Sequence, residues 1–319
     1  MNVLLVNPEY PQTFWSFNNV LKLTGKKALL PPLGLITVAA LCPRNWNFKL
    51  ADLAFQTISQ SDWDWCDLVF VSGMAVQHRE IHETIREGKR RGKRVLVGGP
   101  WAFHVPEELL NAGADLVVVG EAETVMAEVL DAVEKGDFGK VIRSNGVADM
   151  EKSPPPRYDL LEIGSYVDVG LQFSRGCPFK CEFCDITLML GRKVRTKTPE
   201  QVLAELELLY NLGWRRAVFF VDDNFVGNPS KAKQLLHELL PWLEARKRPF
   251  EFYTQASVNL AAQTENLDMM ARCDFTRVFL GIETPDEDSL RAAGKLQNVA
   301  TNLDKACRTI NEAGLEIIA

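Results

Sequence analysis

From Asn2 to about Val141, apolar residues fall into short, nearly unbroken runs rich in β-branched side chains, and helix-like segments of mixed polarity separate them. The runs Val3–Val6, Phe48–Leu53, Leu68–Ser72, Arg94–Gly98 and Leu116–Val119 predict five strands. A strand apolar at successive positions is covered on both faces, so this alternation predicts a doubly wound, Rossmann-like parallel α/β sheet. Two of the runs close on glycines, in Val95-Leu-Val-Gly-Gly-Pro100 and Val117-Val-Val-Gly-Glu-Ala-Glu123. Such sheets bind ligands outside the carboxyl ends of their strands, which makes Gly73, Gly98, Gly99, Gly120 and Glu121 one candidate edge. Turning strand into helix is the plainer use of each of these glycines.

The pattern changes at Glu151-Lys-Ser-Pro-Pro-Pro-Arg157, where three consecutive prolines cannot continue a helix and predict a stiff, extended linker. A first domain at residues 1–150, a linker at 151–165 and a second domain at 166–319 follow from that placement. The second domain opens a new series, with strands at Val167–Ser174, Ala217–Val221, Phe250–Gln255 and Arg277–Gly281. Amphipathic helices are predicted over Thr198–Leu212 and Pro229–Lys247, and helical character runs from Asp286 to Gly314. Leu315–Ala319 reads as a fifth strand just beginning. Together these predict a partial βα, TIM-like barrel. Because an apolar strand edge left open invites aggregation, the chain is expected to be truncated at its C-terminal end.

Composition and charge narrow the function. With 46% hydrophobic and 24% charged residues among 319, each domain can bury a core. A net charge of −6 and a pI near 5.4 supply no basic field for a phosphate backbone, so no nucleic-acid partner is expected. The first residues lack the basic region and small-residue cleavage site of a secretory signal. The apolar stretch Ala28–Cys42 is broken by Pro31, Pro32 and Gly34 and is too short for a bilayer, so a cytoplasmic protein with no transmembrane segment is expected.

The seven cysteines are an odd number, unsuited to a disulfide framework, and three of them crowd into Ser174-Arg-Gly-Cys177-Pro-Phe-Lys-Cys181-Glu-Phe-Cys184. Thiolates placed after a strand in this way suit an iron–sulfur cluster, and three of them leave one iron open, as catalytic zinc sites keep an open position. A structural zinc with Cys273 or Cys307 as fourth ligand, or simple burial, are the alternatives.

The C-x-x-x-C-x-x-C spacing after the first strand of a βα series resembles the signature of the radical S-adenosylmethionine (SAM) superfamily. The resemblance implies a [4Fe–4S] cluster on Cys177, Cys181 and Cys184, with SAM on the fourth iron and its reductive cleavage yielding a 5′-deoxyadenosyl radical. It places Phe183 near the adenine, and Asp222 and Asp223 where the methionine amino group is bound, although helix capping is an equally simple use of Asp223 and Asn224. By the same likeness Gln255 and Ser257 are similar to a polar pair that contacts ribose or carboxylate, and Gly281-Ile-Glu283-Thr284 resembles a glycine–isoleucine–glutamate stretch of the family. Arg192, Lys193 and Arg195 either neutralise a ligand carboxylate or face solvent.

The N-terminal domain resembles that of the cobalamin-binding members, at Pro31-Pro-Leu-Gly34-Leu35, Ser72-Gly73, Val97-Gly-Gly-Pro100 and Gly120-Glu-Ala-Glu123. The D-x-H-x-x-G motif that supplies a cobalt ligand in other corrinoid proteins is absent, and His78 and His104 stand alone. The likeness is greatest to the class B methylases, the group that includes the hopanoid C-2 methylase. It implies methylation of an unactivated carbon of a small-molecule or lipid-like substrate, with electrons from a reducing protein such as a flavodoxin or ferredoxin. A cobalamin-dependent radical cyclase or oxidoreductase, or a non-catalytic cofactor-binding fragment, are the alternatives.

Overall fold

Six parallel strands form the first sheet: β1 (Asn2–Asn7), β2 (Asn47–Asp52), β3 (Leu68–Ser72), β4 (Arg94–Gly98), β5 (Leu116–Val119) and β6 (Lys140–Arg143), in the order β2-β1-β3-β4-β5-β6. They belong to a computed structural model that describes residues 1–12, 21 and 23–319. Alternate residues of one strand serve opposite faces. Leu4 and Val6 pack with Val69, Val71, Ile81 and Ile85, while Val3 and Leu5 pack with Leu35, Ala39, Val125 and Val129 on the other side. Two cores on one sheet explain why the strands are apolar at successive positions. Five strands stand where the apolar runs put them; β6 is an addition, and with Ile142 its one fully buried residue no apolar run announces it. Helices His78–Arg90 and Ala122–Lys135 cover opposite faces, the second ending on Gly136 in the left-handed conformation.

The sheet order reverses between β1 and β3, the topological switch point at which such sheets open a crevice. There the carboxyl ends carry Asn7-Pro8 and Ser72-Gly73. The buried Gln77 joins the two loops, its side chain donating to the Pro8 carbonyl and accepting from the Met74 N–H.

The chain divides into two compact units, Met1–Ala148 with Ser153–Val167, and Asp149–Lys152 with Asp168–Ala319. The extended linker expected at 151–165 is therefore not one. Short 3₁₀ turns at Tyr158–Leu160 and Ile163–Ser165 fold the segment onto the first unit. Its tyrosines supply the reason: Tyr158 and Tyr166 are both almost fully buried, and the Tyr166 hydroxyl donates to Asp52 Oδ2 at 2.9 Å. Asp52 also accepts from Asn7 Nδ2 at 3.0 Å and the Ala54 N–H at 3.1 Å, and burial raises its carboxyl above the usual range.

In the second unit β7 (Val169–Leu171), β10 (Val218–Phe220), β11 (Phe252–Ala256), β12 (Phe275–Leu280) and β13 (Glu316–Ile318) form a parallel sheet in the order β13-β12-β11-β10-β7. A separate antiparallel ribbon joins β8 (Ser174–Arg175) to β9 (Arg195–Thr196). The single strand predicted over Val167–Ser174 is thus split between sheet and ribbon. One face of the sheet is sealed by an aromatic cluster in which Phe220 lies 5.4 Å from Phe252 and 5.5 Å from Phe275, ring centre to ring centre. Helix Pro199–Asn211 starts on a capping box between Thr198 and Gln201, and helix Pro229–Ala245 is capped by Asn228. The helical region predicted from Asp286 to Gly314 is three helices, Glu287–Ala292, Leu296–Val299 and Leu303–Glu312, the first break falling at Gly294.

Candidate functional site

In the first unit the predicted edge residues stand together at the carboxyl ends of β3, β4 and β5. Ser72 and Gly73 end β3, Gly98 and Gly99 end β4, and Gly120 and Glu121 follow β5. The Trp101 N–H donates to the Gly73 carbonyl at 3.0 Å, and a Cβ on Gly99 would lie 2.2 Å from Ser72 Oγ. At Gly99 and at Gly120, where a Cβ would lie 2.5 Å from Ser144 Cβ, the neighbouring strand end leaves no room for a side chain. Glu121 differs from the glycines: it is buried and accepts from the Ala148 N–H at 3.2 Å, so its carboxylate holds the chain returning from β6. Of the two histidines, His78 places Nδ1 3.0 Å from the Ala75 carbonyl, and the ring of His104 lies 5.4 Å from that of Phe103.

In the second unit the three cysteines occupy one loop between β8 and β9, and the ribbon closes that loop at its base. The Cys177 N–H donates to the Gly191 carbonyl at 3.2 Å, and the Cys184 N–H to the Cys181 carbonyl at 3.1 Å. Gly176 has a φ of +92°, and a Cβ there would meet the Lys193 and Gly191 carbonyl oxygens at 2.8 and 2.9 Å, so the two arms of the loop close only over glycine. Arg192 and Arg195 donate to the Pro178 and Leu190 carbonyls. They serve the loop itself, not only solvent or a ligand.

All three thiols are free and partly exposed, and Cys181 and Cys184 lie close enough to raise the pKa of Cys177, whose chief cause is burial. Cys273, a proposed fourth zinc ligand, is instead buried with its thiol donating to the Leu236 carbonyl at 3.3 Å. Among the described residues no three His, Cys, Asp or Glu side chains converge as ligands of a single metal ion. Three accessible thiols on one loop fit a cluster held by three cysteines.

The strand ends around this loop carry the other predicted residues, and they divide by environment. Asp222 is fully buried and accepts from the Phe173 N–H at 3.1 Å and also from the Ser174 N–H. Burial raises its pKa to about 7 against those bonds. It anchors the strand that leads into the cysteine loop and explains why that strand leaves the sheet after Leu171. Asp223 is less enclosed. Burial raises its pKa to about 6 although Arg175 opposes the shift, and its Oδ2 has no hydrogen-bond partner. Gln255 is exposed at the end of β11, while Ser257 Oγ accepts from Asn224 Nδ2 at 3.0 Å and so ties β10 to β11.

Glu283 adopts a left-handed φ of +63°, an uncommon conformation for a non-glycine residue, and forms an ion pair with the buried Lys295. Lys295 Nζ lies 5.5 Å from the centre of the Phe183 ring and packs against Gly281, where a Cβ would come within 2.4 Å of it. Phe183 is 59% exposed, an unusual state for a phenylalanine.

A clamp on the cysteine loop, made by Ala293, Gly294 and Gln297, was not among the residues singled out from sequence. The Glu182 N–H donates to the Ala293 carbonyl at 2.9 Å, and Gln297 Nε2 lies 3.5 Å from Cys181 Sγ. Gly294, at φ +66°, approaches so closely that a Cβ would stand 2.6 Å from the Lys180 carbonyl oxygen. The one sequence signal was the lone glycine inside an otherwise helical stretch.

Comparison with known proteins agrees with this geometry. Residues 171–318 match the radical SAM superfamily, and residues 26–130 match the B12 binding domain. An uncharacterized methyltransferase of Synechocystis sp. is 50% identical over 319 residues, which are 100% of this chain and 60% of that protein. The hopanoid C-2 methylase of Rhodopseudomonas palustris is 34% identical over 322 residues, covering 99% of this chain and 61% of the methylase. The chain thus spans about 60% of the length of these relatives. Among solved structures, the fold is similar to the cobalamin-dependent SAM radical enzyme OxsB with aqua-cobalamin bound, at a TM-score of 0.77 and 20% identity over 99% of this chain and 48% of that one. It is also similar to the radical SAM methyltransferase TsrM of Kitasatospora setae with cobalamin and a [4Fe–4S] cluster bound, at 0.72 and 18% identity over 99% and 68%. No helix among the described residues is long and apolar enough to cross a membrane. Residues 171–318 are thus a radical SAM domain, preceded by a B12-binding domain at residues 26–130.

Proposed function

We propose that this protein is a cobalamin-dependent radical SAM methyltransferase acting on an unactivated carbon of a small-molecule or lipid-like substrate. The carrying observation is the loop of three free, partly exposed thiols at the carboxyl end of β7, in a chain whose other unit presents a glycine-lined strand edge. Similarity to a hopanoid methylase supports a lipid-like substrate. Bound there, an iron–sulfur cluster, SAM and cobalamin supply reducing electrons, a hydrogen-abstracting radical and a transferable methyl group.

The chain's own residues hold and orient. Cys177, Cys181 and Cys184 are the cluster ligands, and Asp222 fixes the backbone that leads to them. Asp223, Gln255, Ser257 and Glu283 are the polar groups offered to SAM at successive strand ends, and Phe183 is an exposed ring able to stack on its adenine. The backbone of Ser72, Gly73, Gly98, Gly99 and Gly120 lines the cobalamin edge. A flavodoxin or ferredoxin in the cytoplasm supplies the electrons.

The test is anaerobic reconstitution with iron, sulfide and hydroxocobalamin, followed by dithionite and methyl-labelled SAM. The expected product is 5′-deoxyadenosine, and label on the substrate separates methyl transfer from cyclisation or oxidation. Cys181→Ala is expected to lose the brown cluster absorbance and 5′-deoxyadenosine while still binding cobalamin. Absence of 5′-deoxyadenosine from the cluster-loaded parent overturns the proposal.

A further inference from the structure

Gln297 reaches the cysteine loop from a helix more than a hundred residues away in sequence, and its side-chain amide donates to Cys181 Sγ at 3.5 Å, within range for a sulfur acceptor. We propose that Gln297 is a positioning residue that raises the reduction potential of the cluster by lending an N–H to the Cys181 thiolate. The inference rests on Cys181 being a cluster ligand.

Neighbouring bonds hold the backbone that carries that amide. Asn298 is buried, and its Nδ2 donates to the Gly281 and Ile282 carbonyls at 2.9 and 3.0 Å. Lys295 is buried in its pair with Glu283, and Thr301 Oγ1 donates to the Gln297 carbonyl at 2.8 Å. Residue 297 therefore sits between two anchored neighbours, while the Ala293 carbonyl grips the loop one residue beyond Cys181 through the Glu182 N–H. A partly buried donor fixed in this way acts in a lower dielectric than water. A cluster that takes up one electron from a low-potential donor gains one negative charge, shared by its sulfur ligands. A fixed N–H dipole stabilises the more negative state more, and hydrogen bonds to the sulfurs are among the determinants of cluster potential.

The experiment is a potentiometric titration of the reconstituted chain without SAM, followed by electron paramagnetic resonance of the reduced cluster. Gln297→Leu removes the donor, and Gln297→Glu puts a like charge beside the thiolate. The exposed Leu296→Ser is the control. Gln297→Leu is expected to weaken one-electron reduction about tenfold, equivalent to a fall of about 59 mV, Gln297→Glu at least as much, and Leu296→Ser not at all.

Two outcomes overturn the proposal. In one, both Gln297 variants titrate with the parent at equal iron content. In the other, both lose the cluster while keeping parental circular dichroism, which would make Gln297 a residue of cluster retention. A parent that assembles no cluster under these conditions refutes the cluster reading itself, a separate result visible before any variant is made.

Discussion

Replacing Gly294 by alanine tests whether the Ala293–Gln297 segment is built to lie on the cysteine loop. Two penalties add at this position. Alanine at the φ of +66° carries the left-handed cost of a β-carbon, about 1 kcal/mol. The new Cβ would also stand 2.6 Å from the Lys180 carbonyl oxygen, where ordinary contact begins at 3.4 Å, so a gap of about 0.8 Å must open between two stretches of backbone. Overpacking of that kind costs about 1–3 kcal/mol. The loop that must give way carries Cys181 next in sequence, and the bond from the Glu182 N–H to the Ala293 carbonyl is strained first.

Gly213→Ala carries only the first penalty, so its difference from Gly294→Ala isolates the second. That glycine lies in the same unit at φ +82° with no atom within 4 Å of its virtual Cβ, so it bears only the backbone term. Both substitutions also restrict the unfolded chain equally, and this effect cancels in the comparison. In urea unfolding of the chain without cofactors, Gly213→Ala is expected to cost about 1 kcal/mol and Gly294→Ala about 2–4 kcal/mol. Only Gly294→Ala is expected to lower the iron bound after reconstitution. Equal destabilisation by the two, with equal iron content, would refute the close-contact argument and reduce Gly294 to a helix terminator.

What was legible in the sequence follows how local each determinant is. The four central strands β1, β3, β4 and β5 could be read because they are buried on both faces, so each leaves a nearly unbroken apolar run. The edge strand β6, with only Ile142 fully buried, left none. The cysteine loop was legible because its chemistry lies within eight residues, Cys177 to Cys184. Asp222 and Asp223, adjacent and alike in sequence, turned out to face different tasks. One is sealed under the loop's backbone, and the other keeps an unpartnered oxygen. Nothing local distinguishes them, because the difference depends on where Phe173 and Ser174 run. Gln297 and Lys295 were illegible for the same reason. The prolines at 154–156 misled in the opposite direction: they fix extended backbone as expected, but Tyr158 and Tyr166 beyond them find apolar cover and draw the segment onto the first unit.

That segment's attachment predicts that Tyr166→Phe, which removes the donor to buried Asp52 Oδ2, costs about 1–3 kcal/mol in urea unfolding. Tyr10→Phe, at an exposed residue, is expected to cost almost nothing, and equal losses would deny the buried bond its role. Asp222 makes a prediction in pH. Its folded pKa, raised to about 7 from an ordinary 3.8, means that between those values the folded chain binds more protons than the unfolded one, so this residue makes stability fall as pH rises. At 1.36 kcal/mol per unit, and with the slope reduced near each pKa, the loss between pH 4 and pH 7 is about 3 kcal/mol, with little further change above pH 8. Asp222→Asn cannot ionise, and one of its two polar atoms is a donor that would face a backbone N–H. The variant is therefore expected to be less stable than the parent at pH 5 but to lose less between pH 5 and pH 8. A parent and variant that decline in parallel over that range would mean that Asp222 is ionised throughout, with the Phe173 and Ser174 N–H groups outweighing its burial.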